Sequence, residues 1–420
     1  MSRPVFCAVA DDDTGATDLA GMLSEEGLRT VLVLDGDPER WSEGYDAVIL
    51  GVGSRALPAR DAYLSTREAA RKLRLLGPRV IEIKYCSTFD STAEGNIGPS
   101  LDAAMDELAE RFTVALPALP VNGRTTYMGH HFVHRQLLSE SPMRDHPLTP
   151  MRNSDLVSHL QSQTSRRVGL ATYPVTRAKL DSLRDGGVEI AILDCISDDD
   201  LEGVCEAIAH LPLISGSSAP AMKLPAIWRR EGWWLPAGRE LRRAHSGGRG
   251  FLVVAGSCSE ATRRQNEWFE GHGVRSVVLD PIALASGAPV PSIPPGFDCL
   301  IRTASSAADI ERVGKWAREQ GLRSGDAGLR IAYALAQLVL RAVEGSPPAG
   351  LIVAGGETAG AICRTLQLGA LEVGRNIEPG VPLCFPLSGL RAPLVLKSGN
   401  FGSPGFYGNA IDAIKKLEGA

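Results

Sequence analysis

The sequence predicts an α/β fold made of two α/β domains, each built around a mainly parallel sheet. Short runs rich in β-branched residues recur along the chain, and amphipathic stretches with apolar residues three and four positions apart lie between them. Alternation of strands and helices favours parallel strands layered with helices. A change of composition in the middle of the chain separates two series of this kind and indicates a domain boundary.

The first series contains seven candidate strands. In chain order they are PVFCAVA, RTVLVL, AVILGVG, RVIEIK, FTVALPAL, RVGLATY and VEIAILD. The stretches TDLAGMLSEEG and PSLDAAMDELAERF have the spacing of amphipathic helices. Residues 120–153 are polar and weakly periodic, so we expect a long loop there, and loops of that length are usually functional or disordered.

The second series begins after residues 229–250, where charge, proline and glycine replace the periodic pattern. We therefore predict domains at 1–240 and 241–420, with the linker near 240 as a hinge. The strand candidates FLVVAGS, RSVVLD, CLIRTA, AGLIVAGG and APLVLKSG follow, together with a long helix at about 326–344.

Composition excludes several classes of partner. The formal net charge is −5 and the basic residues are scattered, so we expect no nucleic acid and no anionic membrane as a partner. We find neither a signal-peptide pattern nor an apolar run of roughly 18 residues, and we expect a cytoplasmic protein. The eight cysteines occur without a C-x-x-C pair, as expected of reduced thiols.

An acidic cluster follows the first strand. Asp11, Asp12 and Asp13 lie there, and Thr14 and Gly15 lead into a helix. Ligands of parallel sheets bind beyond the carboxyl ends of the strands, which makes this cluster a candidate site. The three acids could simply cap the helix. They could instead accept a proton from a substrate hydroxyl or hold a cation.

Two later strand ends carry groups suited to a small polyhydroxylated acid. The candidates are Lys84, Ser87, Asp90 and Ser91 in KYCSTFDST and Asn122 and Arg124 in VNGRTTYMG. Lysine and arginine can pair with a carboxylate, while short hydroxyl, amide and carboxylate groups match a polyol. The alternatives are a polar loop that caps its own backbone and a solvated arginine. His130 and His134 have helical spacing but lack the glutamate of H-E-x-x-H, so we predict no zinc site.

Glycine-rich strand ends in the second half predict a nucleotide site. The candidates in VVAGSCSEATRRQ, LIVAGGETAGAIC and LVLKSGNFGSPGF are Ser257, Ser259, Gly355, Gly356, Glu357, Thr358, Gly360, Gly399, Asn400 and Gly402. Glycines allow close approach of the backbone, and a helix N-terminus offers amide donors to phosphate. Each motif alone could be a plain turn. Neither G-x-x-x-x-G-K-[ST] nor G-x-G-x-x-G occurs, so a nucleotide would bind without the two commonest fingerprints.

Taken together, the motifs resemble the four-carbon acid sugar kinase family. They are ADDDTGATD, KYCSTFDSTAEGNIGP, ALPVNGRTTYMG, DHPLTPM, VAGSCSEAT, VAGGETAGAI and LKSGNFG, in the family's order and over nearly the whole chain. The long form KYCSTFDST is similar to the 3-oxo-tetronate kinase branch. The resemblance implies a sugar-acid-binding domain at 1–240 and an ATP-binding domain at 241–420.

The resemblance also implies a reaction. It is phosphorylation of the terminal 4-hydroxyl of a 3-oxo-tetronate by ATP with Mg²⁺, with both domains closing over the substrates. Asp12 is expected to orient or deprotonate the hydroxyl and Asp11 to align sugar acid or Mg²⁺, although these two roles could be exchanged. Threonate or erythronate is the alternative substrate. A sugar-acid aldolase or dehydratase and a nucleotide-regulated sensor are the alternative classes, and a homodimer stays open.

Overall fold

The computed structural model describes residues 3–55, 57–146, 149–236, 247–289, 296, 298–322 and 325–418. The chain divides into two compact units. The first consists of Met1–Val33 and Asp37–Gly238, and the second consists of Leu34–Gly36 and Arg239–Ala420. The predicted hinge near 240 lies in 237–246, outside the described residues, so the hinge and the exact domain boundary stay predictions.

The first unit is α/β, as predicted. Its strands are β1 (Phe6–Ala10), β2 (Thr30–Val33), β3 (Ala47–Gly51), β4 (Val80–Lys84), β5 (Thr113–Leu116), β6 (Arg124–Tyr127), β7 (His130–Val133), β8 (Gln136–Leu137), β9 (Val168–Ala171), β10 (Ile190–Leu193) and β11 (Leu213–Gly216). Its helices are α1 (Asp13–Glu25), α2 (Ala59–Leu75), α3 (Ile97–Leu108), α4 (Leu156–Gln161), α5 (Arg177–Asp185), α6 (Asp198–Ile208) and α7 (Leu224–Arg230).

The large sheet of this unit is parallel throughout, in the order β2-β3-β1-β4-β11-β5-β10-β9. The chain places β3 and β2 on one side of β1 and β4 on the other. The strand order therefore reverses between β1 and β4, and ligands of such sheets bind in the crevice at this reversal. Helix α1 is fixed beside it by Leu19 and Leu23, both fully buried, each contributing roughly 1.5–3 kcal/mol.

The segment expected to be a long loop contains a second, antiparallel sheet of β6, β7 and β8. His130 begins β7, and His134 lies in the turn after it with a φ of 56°. The helical spacing assumed for these two histidines is therefore wrong. Strands of two to four residues are too short to give a clear alternating pattern, which is why the sequence did not reveal this sheet.

The second unit is also α/β. Its strands are β12 (Phe251–Ala255), β13 (Arg275–Leu279), β14 (Cys299–Thr303), β15 (Gly350–Ala354), β16 (Ala370–Glu378), β17 (Val381–Pro386) and β18 (Leu394–Lys397). Its helices are α8 (Glu260–Gly271), α9 (Pro281–Ala285), α10 (Ala307–Glu319), α11 (Asp326–Gly345), α12 (Gly356–Thr365) and α13 (Phe406–Glu418). The long helix predicted at about 326–344 is confirmed as α11.

The strands of the second unit follow the order β13-β14-β12-β15-β18-β17-β16. The first five are parallel, whereas β17 pairs antiparallel with both β18 and β16. The chain places β13 and β14 on one side of β12 and β15 on the other, so a second reversal lies between β12 and β15. A core that includes Phe251, Phe269, Phe406 and Tyr407 fixes these strands from one face.

Within the described residues, none of the helices combines the length and the apolar character needed to span a bilayer.

Candidate functional site

The acidic cluster lies at the strand reversal of the first unit. Ala10, the last residue of β1, is aligned with Lys84, the last residue of β4. Asp12 is the N-cap of α1, because its Oδ1 accepts a hydrogen bond from the backbone N–H of Gly15 at 2.8 Å. Its Oδ2 accepts from the hydroxyl of Thr14 at 2.8 Å. Capping is therefore one role of this carboxylate.

Arg55, which follows β3, joins two of the acids. Its Nε and Nη2 donate to the two carboxylate oxygens of Asp11 at 2.8 and 2.7 Å, and Nη2 also donates to Oδ1 of Asp12 at 2.9 Å. The side-chain amide of Asn96 donates to the carbonyls of Ser54 and Arg55 at 2.7 and 2.8 Å. The Arg55 side chain is thus held by the two carboxylates, and the Arg55 backbone is held by Asn96.

Asp11 and Asp12 differ in acidity. Burial raises the pKa of Asp11, and Arg55 offsets this only in part. Burial acts on Asp12 in the same direction, but Arg55, Lys84 and the hydrogen bonds at its oxygens outweigh it, so the pKa of Asp12 is lowered. Asp12 is therefore ionised at neutral pH. A carboxylate accepts about four hydrogen bonds, and among the described residues Asp12 receives three, which leaves a position on Oδ2 for a substrate hydroxyl.

Asp11 and Arg55 line a small cleft at this strand reversal. The other lining residues are Val9, Ser54, Thr66, Ile83, Lys84, Tyr85, Asp90, Asn96, Ile97 and Ser100. Its volume is about 10 Å³, roughly the room of one water molecule. A four-carbon acid therefore requires some of the lining side chains to move.

Two buried histidines hold the segment that the KYCSTFDST motif forms. His131 donates from Nε2 to the carbonyl of Ser87 at 2.8 Å, and His159 lies 2.6 Å from the carbonyl of Ser91. Burial lowers the pKa of His131 to about 4, so its ring is neutral. Phe89, between the two carbonyls, has a φ of 53° and is fully buried. A left-handed phenylalanine is strained, and the packing around it maintains the bend that presents Asp90 to the cleft.

The structure brings Asp11, Lys84 and Asp90 together at the cleft, with Asp12 bound to the same arginine. Four other predicted substrate-binding residues are not among those lining it: Ser87, Ser91, Asn122 and Arg124. The hydroxyl of Ser91 accepts from the backbone N–H of Asn96 at 2.8 Å, and the guanidinium of Arg124 donates to the carbonyl of Asn122. Both groups serve their own loops here, so their part in substrate binding stays a prediction.

Sequence reasoning missed Arg55 and Asn96. Arg55 follows a predicted strand in GVGSRALP, so its position at a strand end was a usable signal. Asn96 precedes α3, and its side-chain bonds to the Arg55 loop depend on a contact 41 residues away. Long-range contacts of this kind leave no local pattern in the sequence.

The second unit contains a larger cavity at its own strand reversal. Its volume is about 350 Å³, and Gly256, Ser257, Cys258, Pro281, Thr303, Ala304, Asp309, Ile310, Val313, Gly328, Ile331, Ala332, Gly355, Gly356, Glu357, Thr358 and Gly399 line it. Ala255, Ala354 and Lys397 are aligned across β12, β15 and β18. The three glycine-rich turns therefore leave the sheet side by side.

Close contacts between these turns explain their small residues. A Cβ on Gly399 would lie 2.2 Å from the hydroxyl of Ser257, and one on Gly256 would lie 2.1 Å from that of Thr358. Gly355 has a φ of 121°, which L-residues rarely adopt. The glycines thus allow three loops to converge on one cavity.

Helix α12 begins at this cavity, and its first residues Gly356, Glu357 and Thr358 line it. The N-terminus of a helix attracts anions through these donors and its dipole. Glu357 lies in the first turn, and burial raises its pKa. An acid held closer to neutrality at this point offers less repulsion to an incoming phosphate.

Six of the ten predicted nucleotide-binding residues line the cavity: Ser257, Gly355, Gly356, Glu357, Thr358 and Gly399. The other four lie nearby without lining it. Ser259 caps α8 and donates to the carbonyl of Gly399 at 2.6 Å, and Gly360 is buried within α12. Asn400 is exposed, and Gly402 has a φ of 86° in the turn before α13.

The apolar part of the cavity was missed. Ile310 and Val313 of α10 face it, as do Ile331 and Ala332 of α11 and Pro281 at the start of α9. These residues occur in ordinary amphipathic helices, and nothing in their spacing separates a cavity wall from a core. They give the cavity one apolar region beside its glycine-rich, anion-attracting region, as a nucleotide requires.

The donor set fits a cation that arrives with phosphate better than a resident metal. Within the described ranges, no three His, Cys, Asp or Glu side chains are grouped so that they could hold a metal ion. Asp309 and Glu357 are the acids that line the cavity. Mg²⁺ commonly binds one or two carboxylates together with substrate phosphates and several waters.

Comparison with known proteins identifies both units. The family model of a sugar-binding N-terminal domain matches residues 6–224, and the family model of a nucleotide-binding C-terminal domain matches residues 252–407. The chain is therefore a protein with one sugar-binding and one nucleotide-binding domain. More narrowly, it belongs to the four-carbon acid sugar kinase family, as the motifs predicted.

Relatives match over the full length. The 3-oxo-tetronate kinase of Burkholderia multivorans is 40% identical, over 98% of this chain and 98% of its own. That of Pseudomonas savastanoi pv. phaseolicola is also 40% identical, over 100% and 99%. The crystal structure of a Salmonella typhimurium LT2 protein, 35% identical, superposes with a TM-score of 0.80 over 96% of this chain and 98% of that one.

Proposed function

We propose that this protein is an ATP-dependent kinase that phosphorylates the terminal 4-hydroxyl of a 3-oxo-tetronate. The full-length similarity to 3-oxo-tetronate kinases supports the reaction. The observation that carries the proposal in this chain is the pairing of two sites at equivalent strand reversals. One offers carboxylates and cations to a small acid, and the other offers glycine turns and a helix N-terminus to phosphate.

In the first unit, Asp12 is the proposed proton acceptor. It is held as an anion, and one position of its Oδ2 can receive the 4-hydroxyl. As the hydroxyl oxygen bonds to the γ-phosphorus, its proton passes to Asp12 and the bond to the leaving ADP breaks. Arg55 and Lys84 supply the positive charge for the carboxylate of the substrate, and Asp90 accepts from its hydroxyls.

In the second unit, the cavity is the proposed nucleotide site. Its volume of about 350 Å³ lies in the range of small-molecule pockets, roughly 300–1,000 Å³. The apolar residues of α10 and α11 suit adenine, and the turns at Gly256, Gly355 and Gly399 suit the phosphates. Glu357 would hold Mg²⁺ together with the phosphate oxygens, and the ion would supply neutralisation of charge on the transferred group.

A coupled assay of ADP release tests this function. Purified protein with ATP and Mg²⁺ is screened against 3-oxo-tetronates, threonates and erythronates of both configurations. We expect the highest kcat/KM for a 3-oxo-tetronate. A preference for threonate or erythronate would assign the protein to another branch of the same family and overturn the proposed substrate.

Thermal unfolding separates the kinase from other classes. A ligand that binds the native state must raise the melting temperature by mass action. We expect stabilisation by ATP with Mg²⁺ and, separately, by the sugar acid. Stabilisation by ATP without turnover of any tetronate would favour a sensor, and lack of stabilisation by ATP would favour an aldolase or dehydratase.

A further inference from the structure

Lys397 is a buried cation outside the cavity. It ends β18, its side chain has no exposed surface, and it forms no ion pair among the described residues. Its Nζ donates to the carbonyl of Ser398 at 2.9 Å, to the carbonyl of Gly399 at 3.2 Å and to the hydroxyl of Thr262 at 3.2 Å. Burying an ammonium without a carboxylate is costly, so its retention calls for a reason.

The three contacts match the three N–H groups of a protonated lysine. A neutral amine has two N–H donors and one lone pair, so it would keep at most two of these three donations. The hydroxyl of Thr262 accepts from Lys397 and donates its own proton to the carbonyl of Gly399 at 2.9 Å. The protonated lysine thus donates all three hydrogen bonds while the Thr262 hydroxyl donates to Gly399, whereas a neutral amine keeps three contacts only if that hydroxyl turns to donate to its lone pair.

These donors converge on one carbonyl. That of Gly399 receives hydrogen bonds from Lys397, Thr262 and Ser259, the last at 2.6 Å. Because a peptide unit is planar and trans, the N–H of Asn400 points away from these donors. Among the described residues this N–H has no hydrogen-bond partner. Fixing the carbonyl therefore fixes a backbone donor beside a cavity that Gly399 itself lines.

We propose that Lys397 is a positioning residue of the nucleotide site, acting through the carbonyls of Ser398 and Gly399 without touching the nucleotide. This proposal rests on the function proposed above. The ammonium holds the glycine turn in the form that receives phosphate. When protonated, it also places a positive charge behind the turn, where low dielectric strengthens its attraction for the phosphates.

The charge of Lys397 depends on pH near neutrality. Burial lowers its pKa to about 7, and Glu378 on β16 is the charged group that opposes this effect. The Glu378 carboxylate already accepts from Ser403 and from the side chain of Asn409. Nucleotide phosphates would favour the protonated lysine. ATP binding should thus take up a proton, and affinity should fall as the pH rises above about 7.

The test compares Lys397→Met with the wild type in the full chain. Calorimetric ATP titrations, between pH 6 and 9 and in buffers of different ionisation enthalpy, report affinity and proton uptake. We expect ATP affinity to fall roughly 10- to 100-fold in Lys397→Met, with loss of its pH dependence and of proton uptake. The KM for the sugar acid should not change. Lys416→Met, at an exposed lysine of α13, is the matched control.

Thr262→Val keeps the test decisive if Lys397→Met does not fold. It removes the hydroxyl that joins Lys397 to Gly399 while preserving shape, and it should also weaken ATP binding selectively. A folded Lys397→Met that binds ATP with wild-type affinity and pH dependence overturns the positioning role alone. A Thr262→Val that binds ATP with wild-type affinity and pH dependence overturns it as well. If the wild type binds no ATP, the proposed function falls with it.

Discussion

At the scale of single residues, Asp12 combines a structural and a proposed chemical role, and one substitution separates them. Asparagine caps helices as well as aspartate does, because its amide oxygen can accept from the N–H of Gly15. Asp12→Asn should therefore keep the fold while removing the proton acceptor. We expect kcat, measured by ADP release, to fall about 10²- to 10⁴-fold, while calorimetry shows a cooperative unfolding transition that loses only the stability contributed by the charge of Asp12.

Two further variants complete this comparison. Asp199→Asn, at an exposed position of α6, should leave turnover unchanged. Asp11→Asn tests the exchange of roles that the sequence leaves open. A larger loss of kcat in Asp11→Asn than in Asp12→Asn would make Asp11 the proton acceptor, and near-normal activity of Asp12→Asn would remove Asp12 from the chemistry.

Arg55 should set the acid limit of activity. It lowers the pKa of both Asp11 and Asp12, so its removal should raise both. With Asp12 as the proposed proton acceptor, activity requires its ionised form and should be lost as the pH falls through its pKa. Arg55→Met should accordingly shift the acid limb of the profile of kcat/KM against pH to higher pH. Arg55→Lys keeps a positive charge but loses the bidentate contact with Asp11, and we expect an intermediate shift of the acid limb. An acid limb that does not move would contradict this role.

At the scale of elements, the loop after β4 depends on the small second sheet through His131. The neutral ring accepts from the hydroxyl of Thr126 on β6 and donates to the carbonyl of Ser87. His131→Leu removes both bonds and leaves that carbonyl unmatched. We expect a loss of about 1–3 kcal/mol in the free energy of unfolding at neutral pH and a higher KM for the sugar acid, both measured against exposed His130→Leu.

The same histidine predicts a dependence of stability on pH. The pKa of His131 falls from 6.5 to about 4 on folding. Between these values the unfolded chain binds a proton that the folded chain does not, so the free energy of unfolding decreases as the pH falls through this window. Denaturant titrations should show a weaker decrease for His131→Leu than for the wild type. If the free energy of unfolding decreases equally with pH in both proteins, groups other than His131 dominate this dependence.

The turn after β18 offers a steric test. An added Cβ on Gly399 would lie 2.2 Å from the hydroxyl of Ser257, so Gly399→Ala must displace one of the two turns. We expect the KM for ATP to rise about tenfold or more while the KM for the sugar acid is unchanged. Gly271→Ala adds the same methyl group in open space at the end of α8 and should be neutral. A normal KM for ATP in Gly399→Ala would show that this turn does not meet the nucleotide.

At the scale of the whole molecule, the sequence predicted the architecture better than the sites. Central parallel strands are buried on both faces and appear as continuous apolar runs, so β1, β4, β12 and β15 were all found. The acidic cluster and the glycine turns followed from their places at strand ends. Arg55 was missed although it follows a predicted strand, and the apolar cavity wall was missed because its residues become neighbours of the site only through long-range packing. The homodimer and the cytoplasmic location stay predictions.

A negatively charged substrate has to reach a protein of net charge −5. The charged side chains that line the first cleft are Asp11 and Asp90 against Arg55 and Lys84, and the neighbouring Asp12 carboxylate shares Arg55, so the mouth carries no excess of positive charge. A monoanion approaching it meets no attractive potential, and its capture should not depend on electrostatic steering. At saturating ATP, kcat/KM for the sugar acid should change less than about twofold between about 0.05 and 0.5 M salt. A steep fall of kcat/KM with salt would reveal long-range steering that these charges do not provide.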